Sequence, residues 1–89
     1  MRTNQPIRNI QLYRKIRVLA NSFRFRIIEL TQNEQMSITR LSTVLKLSYT
    51  KCADYVRMLE KEGLVKKTRV GKEVLVESKI KIHNLIQTP

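Results

Sequence analysis

The sequence has few of the residues from which catalytic, metal and phosphate-binding sites are usually built. Its single cysteine excludes an internal disulfide and any metal site made of several cysteines. Two glycines are too few for a glycine-rich phosphate loop, and the one histidine, His83, has no acidic residue near it in the sequence. The chain shows neither a paired-carboxylate nor a Cys/His arrangement. We therefore expect that the protein is not an enzyme and needs no cofactor or metal.

Long apolar segments are also missing. No apolar run approaches the ~18 residues that a membrane span needs. The basic N-terminus is not followed by the compact apolar stretch and small-residue cleavage site of a signal peptide. We expect a soluble cytoplasmic protein, nucleoid-associated if it binds DNA, with no membrane partner and no small-molecule substrate.

Acidic residues are scarce relative to basic ones. The 89 residues include 18 Lys and Arg but only 7 Asp and Glu, which leaves a net charge of +11. Two stretches, residues 1–28 and 66–72, contain basic residues and no acid at all. Solubility alone favours surfaces of mixed sign, and an excess of one sign destabilises the folded state through self-repulsion. The charge pattern therefore predicts an anionic partner, and nucleic acid is the first hypothesis.

The length predicts one domain. Residues 1–7, with Pro6 and several polar side chains, have the composition of a flexible basic arm, and residues 8–89 form a single domain. A chain this short buries only roughly 60–65% of the surface that its unfolded form exposes. It needs an efficient core, a partner subunit or both.

Apolar periodicity and capping residues predict four helices. Apolar residues recur at helical spacing over residues 8–20, and Asn21 and Ser22 then supply N-cap chemistry for a second helix that ends near Thr31. After a polar loop, Ser37 and Ser48 are the predicted caps of two further helices, residues 38–45 and 49–62. Gly63 marks the end of the last one, since glycine is preferred just past a helix end.

A β-hairpin follows the helices. Residues 64–70 and 72–77 are rich in β-branched side chains, and Gly71 lies between them, where a tight turn needs a residue tolerant of positive φ. Residues 78–89 suit either a strand or a short helix capped by Ser78, and we prefer the helix. The predicted fold class is mainly α with a small β-hairpin: a winged helix-turn-helix of four helices, a hairpin and a short C-terminal helix.

The ordered elements resemble those of ArsR-type winged helix-turn-helix regulators, and MarR-type proteins share much of the pattern. Small archaeal and archaeal-virus regulators are similar in size and basicity. The resemblance covers about residues 16–77. It is carried by four segments: LANSFRFRIIEL at residues 19–30, ITRLSTVLKLS at 38–48, the recognition helix and its exit at 49–65, and the wing RVGKEV at 69–74.

The resemblance implies a transcription regulator that binds double-stranded DNA. Metal-sensing members of the family hold their metal with clusters of cysteine and histidine. This chain has only Cys52 and His83, so metal sensing does not carry over. The phase of Cys52 on its helix predicts a small buried hydrophobe, and His83 has no partner ligand.

The helix after Ser48 has two faces. At 100° per residue, Cys52, Val56 and Leu59 form the inward face with Tyr55 beside them. The opposite face is small, polar and basic, as the roughly 12 Å wide major groove admits. Its first turns are expected to contact base edges. The predicted DNA-binding residues of this helix are Ser48, Tyr49, Thr50, Lys51, Asp54 and Arg57.

Asp54 is the awkward member of this set because a carboxylate repels phosphate. It could accept a hydrogen bond from a cytosine amino group, or it could only orient Arg57 three residues later. For Ser37 and Ser48, capping competes with phosphate binding, and capping is the simpler role. In the hairpin we predict DNA contacts by Lys66, Lys67, Arg69 and Lys72, with the last two nearest the turn.

The first helix predicts a homodimer. Its apolar stripe is wider than one small core can cover, and the tail adds further apolar residues. Two-fold symmetry is the usual closed arrangement for such surfaces. The predicted dimer-interface residues are Leu12, Ile16, Leu19, Leu85 and Ile86.

We expect a sequence-specific regulator, and a repressor in particular. Two other functions fit the same sequence. A sequence-tolerant architectural protein of chromatin or plasmid maintenance would need the basic charge without base recognition. A winged helix that binds RNA or protein would not need the outward face of residues 49–61.

Overall fold

The computed structural model describes residues 9–82. The predicted arm, His83 and the two tail residues of the predicted dimer interface, Leu85 and Ile86, lie outside this range. The elements follow one another as α1 Ile10–Leu19, α2 Ser22–Thr31, β1 Met36–Ser37, α3 Ile38–Leu45, α4 Tyr49–Lys61, β2 Val65–Val70 and β3 Glu73–Ser78.

Side-chain caps begin three of the four helices found within residues 9–82. The Asn21 side chain accepts a hydrogen bond from the backbone N–H of Arg24 at 3.0 Å and starts α2. Ser37 starts α3 through the N–H of Arg40 at 3.0 Å. Ser48 starts α4 through the N–H of Lys51 at 3.1 Å. The predicted caps Ser37 and Ser48 are confirmed, and each satisfies one of the donors that a helix start leaves unpaired.

The turn between α3 and α4 is tight. Lys46 adopts a left-handed conformation, with φ of 59°, and the N–H of Leu47 donates to the Ser42 carbonyl at 2.9 Å. Ser48 then begins α4 at once. At the other end of α4, Gly63 takes a positive φ of 75°, as its position past a helix end predicts. The first turn joins α3 and α4 into a helix-turn-helix, and the second ends α4 just before the hairpin begins.

The sheet has three antiparallel strands in the order β1-β3-β2. The hairpin of β2 and β3 is confirmed, with Val70 paired to Glu73 across the turn. In the turn between the strands, Gly71 has a positive φ of 62° and Lys72 has a negative φ. A positive φ at the first of two turn residues is the pattern of a type II′ turn. The strand β1 was not predicted. Its two residues pair Met36 with Val76 and Ser37 with Leu75.

The core lies between α2, α3, α4 and the inner face of the sheet. Ile27 and Ile28 of α2, Leu41 of α3 and Val56 and Leu59 of α4 are fully buried. By contrast, α1 buries no residue completely, and only Val18 and Leu19 pack against the core. The helix α1 is therefore an addition to a core that the other elements already close.

The chain after the hairpin differs from the prediction. Ser78 ends β3 and does not cap a helix, and residues 79–82 are not helical. The N–H of Lys79 donates to the Leu64 carbonyl at 2.9 Å, and the N–H of Ile82 donates to Gln32 Oε1 at 2.7 Å. These contacts hold the segment against Leu64, just before β2, and Gln32, just after α2. The rest of the expected C-terminal helix lies outside the described residues.

Candidate nucleic-acid interface

The helix α4 presents the two faces that its sequence predicts. Cys52, Tyr55, Val56 and Leu59 are buried, as the inward phase requires. Burial raises the pKa of the Cys52 thiol from its ordinary value, because desolvation disfavours the thiolate. On the other side Tyr49, Thr50, Lys51, Arg57 and Lys61 are exposed and Asp54 is partly exposed. The outward face is thus an open polar surface with an excess of positive charge.

Asp54 and Arg57 form an ion pair on this outward face. Arg57 Nη2 donates to Asp54 Oδ1 one helical turn away. The Asp54 side chain is 42% exposed and the Arg57 side chain 62%. Solvent therefore screens the pair, and its contribution to stability is small. Of the two roles left open for Asp54, the orienting of Arg57 is the one for which this contact provides the geometry. A bound base could still compete for the same carboxylate.

The middle of α4 packs against α2 through the Tyr55 ring. Phe23 of α2 stacks on this ring, with centroids 5.9 Å apart and planes at 16°. The Arg24 guanidinium lies 5.3 Å from the ring centroid, and Lys51 Nζ lies 5.1 Å from it. Aromatic stacking and cation–π contacts of this kind fix the rotation of α4 about its axis. They also hold the stem of Lys51 near the outward face.

The hairpin divides its basic residues between two faces. Across the register Lys67 pairs with Val76 and Arg69 with Val74, so both lie on the sheet face that also carries the buried Val65. Lys66 pairs with Glu77 and lies on the opposite face. Because side chains alternate along a strand, α4 and Arg69 share one side of the sheet and Lys66 has the other.

Lys67 and Lys72 have different surroundings. Lys67 Nζ lies 3.2 Å from Glu60 Oε1 and ties the hairpin to the last turns of α4. Lys72 is exposed in the turn beside Gly71. Arg69 and Lys72 therefore lie at the free end of the wing. Lys67 is held in an ion pair with Glu60, and Lys66 lies on the face of the sheet away from α4.

Three further basic residues belong to this region although the sequence did not single them out. Arg40 and Lys46 are exposed on α3 and in the turn before α4. Arg24 holds α1 and α2 to α4, because its Nε donates to the Val18 carbonyl at 2.6 Å and its Nη1 reaches Met58 Sδ at 3.3 Å. The left-handed Lys46 could have been suspected from the shortness of the turn. The contacts of Arg24 leave no local signal in the sequence.

The apolar stripe of α1 faces solvent. Leu12, Tyr13 and Ile16 are 55–57% exposed and lie on the same side of the helix. Leu19, also a predicted interface residue, packs partly against the core of its own chain. The described part of the predicted interface is therefore a row of large apolar side chains at the N-terminal end of the domain.

Residues 9–82 contain no group of three or more His, Cys, Asp or Glu side chains that could hold a metal ion. Each helix within the same range is too short or too polar to cross a membrane.

Comparison with known proteins agrees with this geometry. Residues 23–66, from α2 to the start of β2, match the family model described as winged helix-turn-helix DNA-binding. Comparison of the whole sequence with curated proteins gives no match. Among solved structures, HlyU from Vibrio cholerae superposes with a TM-score of 0.78 at 20% identity, over 83% of this chain and 80% of that one.

Two other structures show the same fold. NolR from Sinorhizobium fredii has a TM-score of 0.77 at 19% identity, over 90% of this chain and 83% of that one. The homodimeric winged helix-turn-helix DNA-binding domain Mb0332 from Mycobacterium bovis, a possible ArsR-family transcriptional regulator, has a TM-score of 0.73 at 22% identity, over 86% and 75% of the two chains.

The four helices and the hairpin within residues 9–82 define a winged helix-turn-helix fold, which is the fold of the DNA-binding family whose model matches residues 23–66. More particularly, its fold is that of HlyU, NolR and the possible ArsR-family regulator Mb0332. The predicted resemblance is thereby confirmed, and so is the expectation that the protein is not an enzyme.

Proposed function

We propose that the protein is a sequence-specific transcription regulator that binds double-stranded DNA as a homodimer and represses by occupying its site. The observation that carries the proposal is the exposed face of α4, where Thr50 and Arg57 lie on the side opposite the buried Cys52, Val56 and Leu59. A helix fixed by its inward side and polar on its outward side can enter the major groove as a rigid element.

Each part of the interface has a separate role in this proposal. The N-terminus of α4, with its free N–H groups and positive dipole end, approaches a phosphate next to Ser48. Thr50 and Arg57 contact base edges, with Tyr49 and Lys51 beside them, and Asp54 orients Arg57. Arg69 and Lys72 contact the backbone or the adjacent minor groove. Lys66 and Lys67 contribute long-range positive charge.

The dimer uses the exposed stripe of α1. Leu12, Tyr13 and Ile16 place large apolar side chains in solvent, and a second copy of the chain would cover them about a two-fold axis. The Mycobacterium bovis domain of the same fold is homodimeric. In such a dimer the two recognition helices lie about 34–36 Å apart, so the preferred site is an inverted repeat with half-sites about ten base pairs apart.

The test begins with selection of a preferred site from random oligonucleotides. Binding to this site and to a scrambled duplex is then measured at several salt concentrations. Arg57→Ala should cost about 1–3 kcal/mol on the preferred site and much less on the scrambled duplex. If Asp54 acts through Arg57, Asp54→Ala should have little further effect in the Arg57→Ala background. Additive effects would indicate that Asp54 contacts a base itself.

The wing provides a matched pair of variants. Arg69→Ala should weaken binding to both duplexes together and lower the salt slope by roughly one to two for a dimer that loses two phosphate contacts. Lys66→Ala removes the same charge from the opposite face of the same strand and should change the slope less. Equal losses on both duplexes for Thr50→Ala and Arg57→Ala would reject base recognition by α4 and favour an architectural protein.

Sedimentation tests the oligomeric state. The protein should sediment as a dimer at micromolar concentration, and Ile16→Glu should convert it to a folded monomer, because a charge would be buried in the interface. A monomeric wild-type protein that binds one half-site would contradict the dimer.

A further inference from the structure

The helix α1 packs on its own domain through Val18 and Leu19, and its basic side chains lie beside the end of α4. Arg14, Arg17 and Val18 line a hollow of about 400 Å³ together with Arg24 of α2 and the end of α4 at Lys61 and Glu62. Leu12, Tyr13 and Ile16 lie on the other side of the same helix and are exposed. An amphipathic helix normally buries its apolar side against its own domain. Here much of the apolar side stays in solvent, and the exposed Arg14 and Arg17 edge a hollow that carries an excess of positive charge.

A second hollow continues the first one along α1. It has a volume of about 380 Å³ and shares Arg14, Lys61 and Glu62 with the first, while Gln11, Lys15 and Gly63 complete its lining. The two form one groove between α1 and the end of α4, which we term the α1–α4 cleft. Each hollow has a volume within the range of small-ligand sites.

The charge of the α1–α4 cleft is unbalanced. Its lining includes five basic side chains, Arg14, Lys15, Arg17, Arg24 and Lys61, and a single carboxylate, that of Glu62. The ion pairs formed within residues 9–82 join Arg26 to Glu29, Arg57 to Asp54 and Lys67 to Glu60, and none of them involves a lining residue. Like charges that converge in a concave surface raise the local potential and destabilise the fold unless an anion joins them.

We infer that the α1–α4 cleft is a binding site for phosphate groups, separate from the surface formed by α4 and the wing. Two arginines offer planar arrays of donors that match phosphate oxygens, and Lys61 adds a point charge from the facing helix. Arg24 is the fixed member, since its Nε is already bound to the Val18 carbonyl and its guanidinium lies on Tyr55. Arg14 and Arg17 are the exposed arginines of the lining, and the Arg17 guanidinium lies 5.9 Å from the centroid of the Tyr13 ring, so these two are the residues that bind the anion.

The phosphate has two possible sources with the same chemistry. Lys61 belongs to the outward stripe of α4, one turn after Arg57, so the cleft adjoins the proposed DNA surface. The backbone of DNA beyond the half-site is one source, and this arm rests on the proposed function. A free phosphorylated small molecule is the other source, and it does not require DNA binding at all.

The first arm uses the full-length protein without DNA and inorganic pyrophosphate as the probe. Calorimetric titration should show saturable binding. The double variant Arg14→Gln/Arg17→Gln should weaken it at least about tenfold, as expected when charged hydrogen bonds are lost. The control Arg26→Gln/Lys79→Gln removes the same charge from exposed positions outside the cleft and should stay within about twofold of wild type. Circular dichroism of both variants verifies that they fold.

The second arm compares a duplex trimmed to the selected site with one extended by a helical turn at each end. If backbone phosphate is the ligand, the Arg14/Arg17 variant should lose affinity and salt dependence on the extended duplex while the control variant does not. Discrimination between preferred and scrambled sites should persist, which separates this result from failure of α4 to recognise DNA. Absence of a difference between the two double variants in both arms would overturn the inference.

Discussion

Replacement of Arg24 by alanine tests how α1 and α2 are fastened to α4. The last carbonyls of α1 have no partner within the helix, and Arg24 Nε satisfies that of Val18 at 2.6 Å, close to the negative end of the helix dipole. A hydrogen bond from a charged donor contributes about 1.5 kcal/mol in such a setting. The cation–π contact with Tyr55, at 5.3 Å, adds about 0.5–1 kcal/mol. Arg24→Ala should therefore destabilise the domain by about 2 kcal/mol.

The assay is equilibrium unfolding by urea and by heat, followed by circular dichroism. For a domain of this size, a loss of about 2 kcal/mol corresponds to a decrease in melting temperature of roughly 8–16 °C. Arg26→Ala is the matched control two residues away on the same helix. Its ion pair with Glu29, at 3.7 Å, is exposed and should contribute less than about 1 kcal/mol.

Two further measurements test whether the Arg24 guanidinium itself holds α1 in place. Arg24→Lys keeps the charge but not the planar fork, so it should recover only part of the lost stability. Hydrogen exchange should show that the amides of α1 lose protection first in Arg24→Ala, because this helix has no fully buried residue of its own. If Arg24→Ala and Arg26→Ala unfold within about 0.5 kcal/mol of each other, which is the usual range of surface substitutions, the guanidinium does not fasten the helices and this reasoning is wrong.

Three other outcomes are expected. Lys46→Gly should raise the free energy of unfolding by about 0.5–1 kcal/mol in urea titration, because glycine adopts the left-handed φ of 59° without the strain of a side chain; a loss of stability would contradict this. Gly71→Ala should lower the free energy of unfolding by about 1 kcal/mol, because alanine is strained at the positive φ of 62° that Gly71 adopts; unchanged stability would contradict this strain. Burial raises the pKa of Cys52, so its thiol favours the folded state below the unfolded pKa. That contribution should be lost as pH rises past 9.0 toward the folded pKa, and Cys52→Ala, which lacks the titration, should show a smaller decline; parallel profiles would exclude the effect.

The local elements of this fold follow from short stretches of sequence. Ser37 and Ser48 cap their helices because a serine oxygen can accept the N–H three residues later, whatever the rest of the chain does. Gly63 and Gly71 mark turns because only glycine adopts positive φ readily. The inward phase of Cys52 likewise depends only on helical periodicity. From these features alone come the order of the helices, the hairpin and the outward face of α4.

The interactions between distant segments needed the tertiary structure. Strand β1 has only two residues, too few to show a period, and it exists because Met36 pairs with Val76 forty positions later. Alternation along β2 separates Lys66 from Lys67 and Arg69, but only packing against α4 decides which side faces that helix. In the same way, composition shows that α1 is both basic and apolar. Only its docking, with Arg24 bound to the Val18 carbonyl, places Arg14 and Arg17 beside the end of α4, because that placement depends on contacts that no local pattern records.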